Sequence, residues 1–222
     1  MRHLSPRTMI AALVIAASAV AFTTATNYPN VYSQTDRLAS NAVTPDYKLL
    51  LNGQVAMKLT GSLNLFGTST LHNWEMSAHQ LSGSAQFTLS DKGQLTSVGA
   101  LTFVLPVHNL KGDKDGMNDN AYDALKADKY KDIRFIMTAA AVEPKGGNNY
   151  TIRANGNLTI AGVTRPITLE VKTQVNDNGT VTCQGTYALK MSDFNIDRPS
   201  FMFGAMKTGN DLTLSYSLLF VK

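Results

Sequence analysis

The amino-acid sequence predicts an all-β protein whose strands, mainly antiparallel, close into a barrel or pack as a sandwich. Apolar and polar residues alternate in many segments, most regularly over residues 212–218, where leucine and tyrosine alternate with threonine and serine. A period of two is typical of a strand with one buried and one solvated face. Turn-forming residues, such as those at 91–93 and 176–179, separate the runs. Strands so numerous and so closely connected favour a closed structure, because closure removes unpaired edges.

The first 25 residues have the features of a secretory leader. Arg2 and Arg7 accompany an apolar run of fourteen residues, 9–22, and the small residues up to Ala25 suit cleavage by a signal peptidase. A membrane span needs about 20 apolar residues, which is longer than this run. We therefore predict a signal peptide at 1–25 and a periplasmic or secreted mature protein. An uncleaved N-terminal anchor is the alternative.

Charge and cysteine content narrow the classes of partner. The net charge of +4 falls to +2 when Arg2 and Arg7 leave with the leader. No cluster of lysine and arginine remains to bind nucleic acid. Cys183 is the only cysteine of the chain, which excludes an internal disulfide. Residues 26–45 lack strand or helix periodicity and are predicted to be a polar tether, so that 46–222 form a single domain.

Ten strands and one helix are predicted in that domain. The helix is expected near 118–130, capped by Asn118 or Asp119, because Tyr122 and Leu125 then lie on one face. The strands are expected near residues 47–51, 54–65, 71–78, 83–90, 98–106, 133–142, 149–160, 166–175, 180–190 and 211–221.

Ser69 and His72, within the segment FGTSTLHNWEM at 66–76, are the strongest candidates for a catalytic pair. A serine nucleophile requires a base within hydrogen-bonding distance and a third group that orients the base. On a strand the two side chains would point to opposite faces, and no nucleophile-elbow motif surrounds the serine. A serine-type hydrolase is therefore a remote alternative, and no catalytic residue is predicted. The same parity places His72 and Trp74 on one face.

No metal or cofactor site is predicted. His72, His79 and His108 remain after the leader, and none has a partner at a recognised metal-ligand spacing. The loop at 111–120 clusters aspartate and asparagine around glycines, but it lacks the frame and the final glutamate of a calcium-binding loop. We expect a hydrated surface loop there.

The segments at 69–76, 101–135 and 156–171, in this order, resemble the YceI-like family of secreted lipid-binding proteins. STLHNWEM at 69–76 resembles the family's strand-entry motif. Residues 101–135 resemble its long middle block of strand, loop, helix and strand, and 156–171 resemble two strands around a Gly-x-Thr-x-Pro turn. Together these segments lie within 55–220. The resemblance implies an eight-stranded, lipocalin-like antiparallel barrel that can hold a long isoprenoid or similar lipid in an elongated apolar cavity.

The sequence departs from the family pattern at three positions. Lys131 stands where a proline is usual, Met191 where an arginine is usual, and Asn195 where a glycine is usual. The arginine could have steadied a polar head group or a barrel end. Its replacement bears on the identity of the lipid and not on the fold.

The sequence therefore favours a binding protein over an enzyme. The expected partner is an amphipathic lipid such as a polyisoprenoid, with transient membrane contact and a homodimer left open. The alternative is a structural or stress-response module whose barrel is filled by its own side chains. The segment FMFGAM at 201–206 is either core, which is favoured, or a lid over the cavity. The residues predicted to line the cavity are Phe87, Leu101, Phe103, Phe135, Leu169, Leu214, Tyr216 and Leu218, chosen by strand parity, with His72 and Trp74.

Overall fold

The computed structural model describes residues 49–50, 54–201 and 206–222, which form a closed antiparallel barrel of eight wall strands with three short additional strands. The predicted fold class, a mainly antiparallel barrel with one short helix, is confirmed. The strands, numbered along the chain, are β1 (Leu49–Leu50), β2 (Gln54–Ser69), β3 (Asn73–Ala78), β4 (Ser82–Leu89), β5 (Leu95–Pro106), β6 (Asp132–Gly146), β7 (Asn149–Ile160), β8 (Val163–Val175), β9 (Val181–Lys190), β10 (Ser200–Phe201) and β11 (Met206–Val221).

The barrel closes because β2 pairs with both β4 and β11. The wall runs β2, β4, β5, β6, β7, β8, β9 and β11, and β11 returns to β2 with Leu214 opposite Leu65 and Phe220 opposite Leu59. Inner and outer positions alternate along each strand, so apolar side chains of one parity meet inside the barrel.

One edge of β2 has two successive partners. Residues 54–58 pair with β4, whereas 63–68 pair with β3. The backbone of Ser77 in β3 in turn pairs with that of Lys111, in the loop before the helix. The segment FGTSTLHNWEM therefore forms a hairpin that extends one end of the barrel wall.

Three contacts between neighbouring wall strands of the described chain are short. One joins β2 and β4 over residues 54–58 and 84–88, and we call the other two seams. Within the described residues, β8 and β9 pair only between 172–175 and 181–184, and β5 and β6 only between 102–106 and 132–136. By contrast, β7 and β8 pair along the whole of β7. The two seams lie at opposite ends of the barrel. We call the end where β5 begins the closed end, and the end where β9 finishes the open end.

The closed end is filled by its own side chains. The rings of Phe87 and Phe220 meet edge to face with their centroids 5.2 Å apart, and the two side chains are 1% and 0% exposed. The amide of Leu95 in β5 donates a hydrogen bond of 3.1 Å to the hydroxyl of Tyr150 in β7, across the separated part of β5 and β6. These contacts pack the side chains at the closed end closely against one another.

The described residues contain one α-helix, α1, which spans Asp115–Ala124 and so begins before the predicted cap. Asn118 lies inside the helix and is buried. Its Oδ1 accepts a hydrogen bond of 2.7 Å from the amide of Gly112, so this side chain fixes the preceding loop instead of capping the helix. The prediction of Asn118 or Asp119 as the cap is therefore wrong.

Several predictions fall outside the described residues. The leader at 1–25 and the tether at 26–45 belong to this group, as do residues 202–205 of FMFGAM. The division of the chain into leader, tether and domain stays a prediction. In the part of the chain that the structure describes, no helix is long and apolar enough to cross a membrane.

Candidate functional site

An apolar cavity of about 160 Å³ lies inside the barrel, and all eight wall strands contribute side chains to it. Among the described residues that line it, none carries a charged side chain, and polar side-chain atoms come only from Cys183, Tyr187 and Tyr216. The cavity wall therefore offers hydrophobic and dispersion contacts to an apolar chain. It offers no ionic partner to a charged group, whose burial would be costly.

The eight residues chosen by strand parity all lie on the cavity. They are Phe87, Leu101, Phe103, Phe135, Leu169, Leu214, Tyr216 and Leu218. Their contact with a ligand stays a prediction. His72 does not lie there, because it is exposed and precedes the first residue of β3. Treating His72 as a strand residue is therefore wrong, and so is placing it on the face of Trp74.

Trp74 lies beside the cavity without lining it. It is directly opposite Gly67 in the pairing of β3 with β2, and its indole covers that glycine so closely that a β-carbon there would lie 2.7 Å from Cη2. The indole Nε1 donates a hydrogen bond of 3.0 Å to the carbonyl of Thr68. Trp74 thus anchors the β3 hairpin to β2, which is a structural role.

Sequence reasoning missed other lining residues. Cys183 and Leu189 lie on the cavity together with Tyr187, and their alternation along β9 is a pattern that could have found them. Leu110 and Leu125 also line it. Leu110 precedes α1 in a loop without periodicity, whereas Leu125 belongs to the helix face predicted with Tyr122 but was not assigned to the cavity.

The cavity is bounded at the open end by the separated parts of β8 and β9. The inward residues there, Ile167 and Leu169 in β8 with Leu189 in β9, are only half-buried. Across this gap the Nε of Arg165 donates a hydrogen bond of 2.7 Å to the backbone carbonyl of Asp193. One polar contact therefore ties the two sides of this gap together, next to the half-buried apolar side chains of the lining.

Cys183 carries a buried thiol on the cavity wall. Its Sγ lies 3.6 Å from Oγ1 of Thr173, which is also buried. Burial raises the pKa of Cys183 to about 11, and the hydrogen bond with Thr173 opposes part of that increase. The group is thus a protonated thiol at neutral pH, in which form it is a poor nucleophile.

Tyr216 contributes a second buried polar group. Of the buried side-chain oxygen and nitrogen atoms in the described residues, its hydroxyl alone lacks a hydrogen-bond partner. Burial, and then the nearby Cys183, raise the pKa of Tyr216 above its ordinary value. The phenol therefore stays protonated and keeps an O–H group that can donate.

The two departures near the end of β9 have different structural meanings. Asn195 adopts a φ of 53°, a left-handed conformation that glycine and asparagine accept more readily than other residues, so the backbone turn is preserved. Met191 is buried and lines the cavity. An apolar side chain therefore occupies the position at which the family pattern has a cation.

Ser69 and His72 do not form a catalytic pair. The Oγ of Ser69 donates to the backbone carbonyl of His72 at 2.9 Å and accepts from the amides of Leu71 and His72. The Nδ1 of His72 lies 2.8 Å from the carbonyl of Asn73. The serine oxygen therefore builds the turn between β2 and β3, and the imidazole does not activate it. Within the described chain, no three His, Cys, Asp or Glu side chains are grouped as a metal site would require.

Comparisons with known proteins agree with this architecture. The model of the YceI-like domain family matches residues 56–220. BcnA of Burkholderia cenocepacia is 21% identical, with a TM-score of 0.53 over 72% of this chain and 95% of its own. A polyisoprenoid binding domain from Saccharophagus degradans, implicated in plant cell wall breakdown, is 13% identical, with a TM-score of 0.57 over 76% of this chain and 97% of its own. These likenesses show the fold. A search among curated proteins finds no match.

Proposed function

We propose that this chain, which belongs to the YceI-like domain family, is a secreted binding protein that holds an amphipathic, isoprenoid-like lipid in its barrel. The observation that carries the proposal is the continuous apolar lining of a cavity to which all eight wall strands contribute. The Saccharophagus degradans neighbour, a polyisoprenoid binding domain with the same fold, supports the choice of lipid class.

The size of the cavity indicates how such a lipid is held. An apolar cavity of about 150 Å³ lined by Leu, Ile and Phe stays dry and binds benzene, so the 160 Å³ here accepts a short section of an aliphatic chain. Each buried methylene contributes about 0.8 kcal/mol. A longer chain also needs the half-buried side chains at the open end, such as Ile167 and Leu169, to move aside. The flexible Met137 and Met191 on the wall suit such adjustment.

We propose that this activity lies outside the cytoplasm, in the periplasm or the medium, and the leader predicted at 1–25 supports this. A barrel that shields an apolar chain from water would keep a poorly soluble lipid dispersed there. We propose binding without catalysis, because Ser69 serves the backbone of its own turn.

The first test identifies what the protein carries. The mature chain, purified from an exporting host, is examined by native mass spectrometry, and its organic extract is analysed for co-purified lipid. We expect a bound, chain-like lipid of low polarity. Recovery of lipid-free protein that also fails to retain added geranylgeraniol would contradict the proposal and favour the self-filled structural module.

A matched pair of variants tests whether the cavity is the site. Leu169→Trp places an indole inside the barrel, whereas Glu170→Trp places the same group on the adjacent, exposed position of β8. Each is incubated with geranylgeraniol, separated by gel filtration and assayed for co-eluting lipid. We expect Leu169→Trp to retain at least tenfold less lipid and Glu170→Trp to match the parent chain. Equal retention by the two folded variants would place the lipid elsewhere.

A further inference from the structure

The hydroxyl of Tyr216, which has no hydrogen-bond partner, lies on the cavity wall next to the β8–β9 seam. The ring of Tyr216 lies on the cavity wall and is 8% exposed. It leans over Gly185, its partner in the pairing of β11 with β9, so closely that a β-carbon at Gly185 would lie 2.6 Å from Cζ. Gly185 is the first residue of β9 beyond the seam with β8. The hydroxyl therefore sits where the two strands begin to separate.

The chemistry of this hydroxyl calls for a partner. A buried O–H without an acceptor is destabilising, because it gives up its hydrogen bonds to water. A phenylalanine would fill nearly the same space without that cost. Of the other polar atoms on the wall, the Cys183 sulfur already contacts Thr173, and Tyr187 is half-buried. Tyr216 is thus the one residue of the described wall with a buried O–H group that donates no hydrogen bond.

The rest of the wall determines which partner fits. The described lining has no charged side chain, and directly after β9 it contains the apolar side chain of Met191. A carboxylate or phosphate taken into this cavity would lose its hydration without gaining a counterion. A neutral oxygen, by contrast, can accept one hydrogen bond while its carbon chain keeps its apolar contacts.

We propose that the hydroxyl of Tyr216 determines ligand specificity, by donating a hydrogen bond to a neutral oxygen atom within the buried section of the ligand. The preferred ligand is then an uncharged chain that carries a carbonyl or ether oxygen near the β8–β9 seam. A plain hydrocarbon and a fatty carboxylate bind less well. This inference rests on the proposed function and names the ligand class for the same cavity.

The test uses three chain-matched probes, 2-undecanone, undecane and undecanoate, with binding measured by titration calorimetry. For the parent chain we expect the ketone to bind most tightly. Tyr216→Phe should weaken the ketone about three- to tenfold, which is the size of one net hydrogen bond, and should leave undecane unchanged. Tyr150→Phe is the matched control, since it removes a buried hydroxyl at the closed end, away from the cavity wall. It should leave the ratio of ketone to alkane affinity unaltered.

The outcomes separate this inference from the proposed function. If the parent chain binds neither these probes nor geranylgeraniol, the proposed function fails and this inference fails with it. If it binds geranylgeraniol but shows no preference for the ketone, this inference alone is refuted. If ketone and alkane bind but Tyr216→Phe affects them equally, the cavity binds chains and the role of Tyr216 is refuted. The infrared C=O stretch of 2-undecanone bound to the parent chain gives an answer that does not depend on a variant. A shift to lower frequency than in an alkane solvent is expected, and an alkane-like frequency would contradict the inference.

Discussion

The amide of Leu95 and the hydroxyl of Tyr150 are joined by a hydrogen bond of 3.1 Å that links β5 to β7 at the closed end of the barrel. Tyr216, a second buried tyrosine among the described residues, lies where β9 leaves its pairing with β8, and its hydroxyl has no partner. The two buried phenols thus differ in that one is engaged by the protein and the other is not.

This contrast predicts opposite effects of the same substitution on stability. Tyr150→Phe leaves the buried amide of Leu95 without its acceptor and should lower the free energy of unfolding by about 1–3 kcal/mol. Tyr216→Phe removes an unpaired group and should leave that free energy unchanged or raise it by about 1 kcal/mol. Urea unfolding of the lipid-free protein measures both, and equal losses in the two variants would show that the Tyr216 hydroxyl has a partner.

Gly185→Ala should destabilise the barrel. The added methyl group would overlap the phenol of Tyr216 and approach the carbonyl of Glu170 to 3.0 Å. Overpacking of this kind costs about 1–3 kcal/mol, seen as a lower midpoint of urea unfolding. Gly116→Ala is the control, because nothing lies within 4 Å of its added carbon and alanine is the better helix former. A Gly185→Ala protein as stable as the parent would mean that Tyr216 rearranges freely.

Stability should fall with alkaline pH because of Cys183. Its pKa is raised from 9.0 to about 11 in the folded chain, so the unfolded chain loses this proton first as the pH rises. The associated stability is complete below pH 9 and is lost as the pH approaches about 11. Linkage predicts a loss of about 1 kcal/mol between pH 8 and pH 10 from this group. Cys183→Ala should be less stable at pH 8 but show a shallower decline, and parallel curves for the two proteins would contradict the assignment.

Arg165→Ala should speed the release of bound lipid. The substitution removes the hydrogen bond from Arg165 to the carbonyl of Asp193, which ties β8 to the turn after β9 across the gap. We expect dissociation of geranylgeraniol to acceptor vesicles to be about three- to tenfold faster, in proportion to one such bond. Arg134→Ala, which removes an exposed ion pair with Asp132 on the outer face, should leave the rate unchanged. Identical rates in all three proteins would exclude the gap as the exit route.

Ser69→Ala should affect stability and not hydrolysis. The serine oxygen makes three hydrogen bonds with the backbone of residues 71 and 72, so its removal should cost about 1 kcal/mol in urea unfolding. Hydrolysis of p-nitrophenyl butyrate should stay at the buffer rate for both proteins. Activity in the parent chain that disappears in the variant would restore the hydrolase hypothesis.

The sequence was informative where side-chain alternation alone determines the answer. Residues such as Phe103 and Leu169 could be assigned to one face by parity, and they lie on the cavity. His72 was misplaced because it lies in the turn between β2 and β3. The Ser69 hydroxyl stabilises that turn by local hydrogen bonding, which alternation does not reveal. β8 is separated from β9 over residues 163–171. The sequence does not indicate this separation, since both strands keep their alternation there. Which strands pair, and over what length, depends on closure of the whole sheet, and side-chain alternation carries no information about it.

The two short seams also determine how the native barrel fluctuates. Only four residue pairs hold β8 to β9, so local opening there disrupts less structure than fraying of the β7–β8 hairpin, which has twelve pairs. In native-state hydrogen exchange, the backbone amides of the β8–β9 seam should therefore exchange through a small opening, and those of the β7–β8 pairing only through larger unfolding. The least costly excursion of the fold is then one that separates β8 from β9 and widens the cavity, and under the proposed function this excursion is the expected entry route for the lipid.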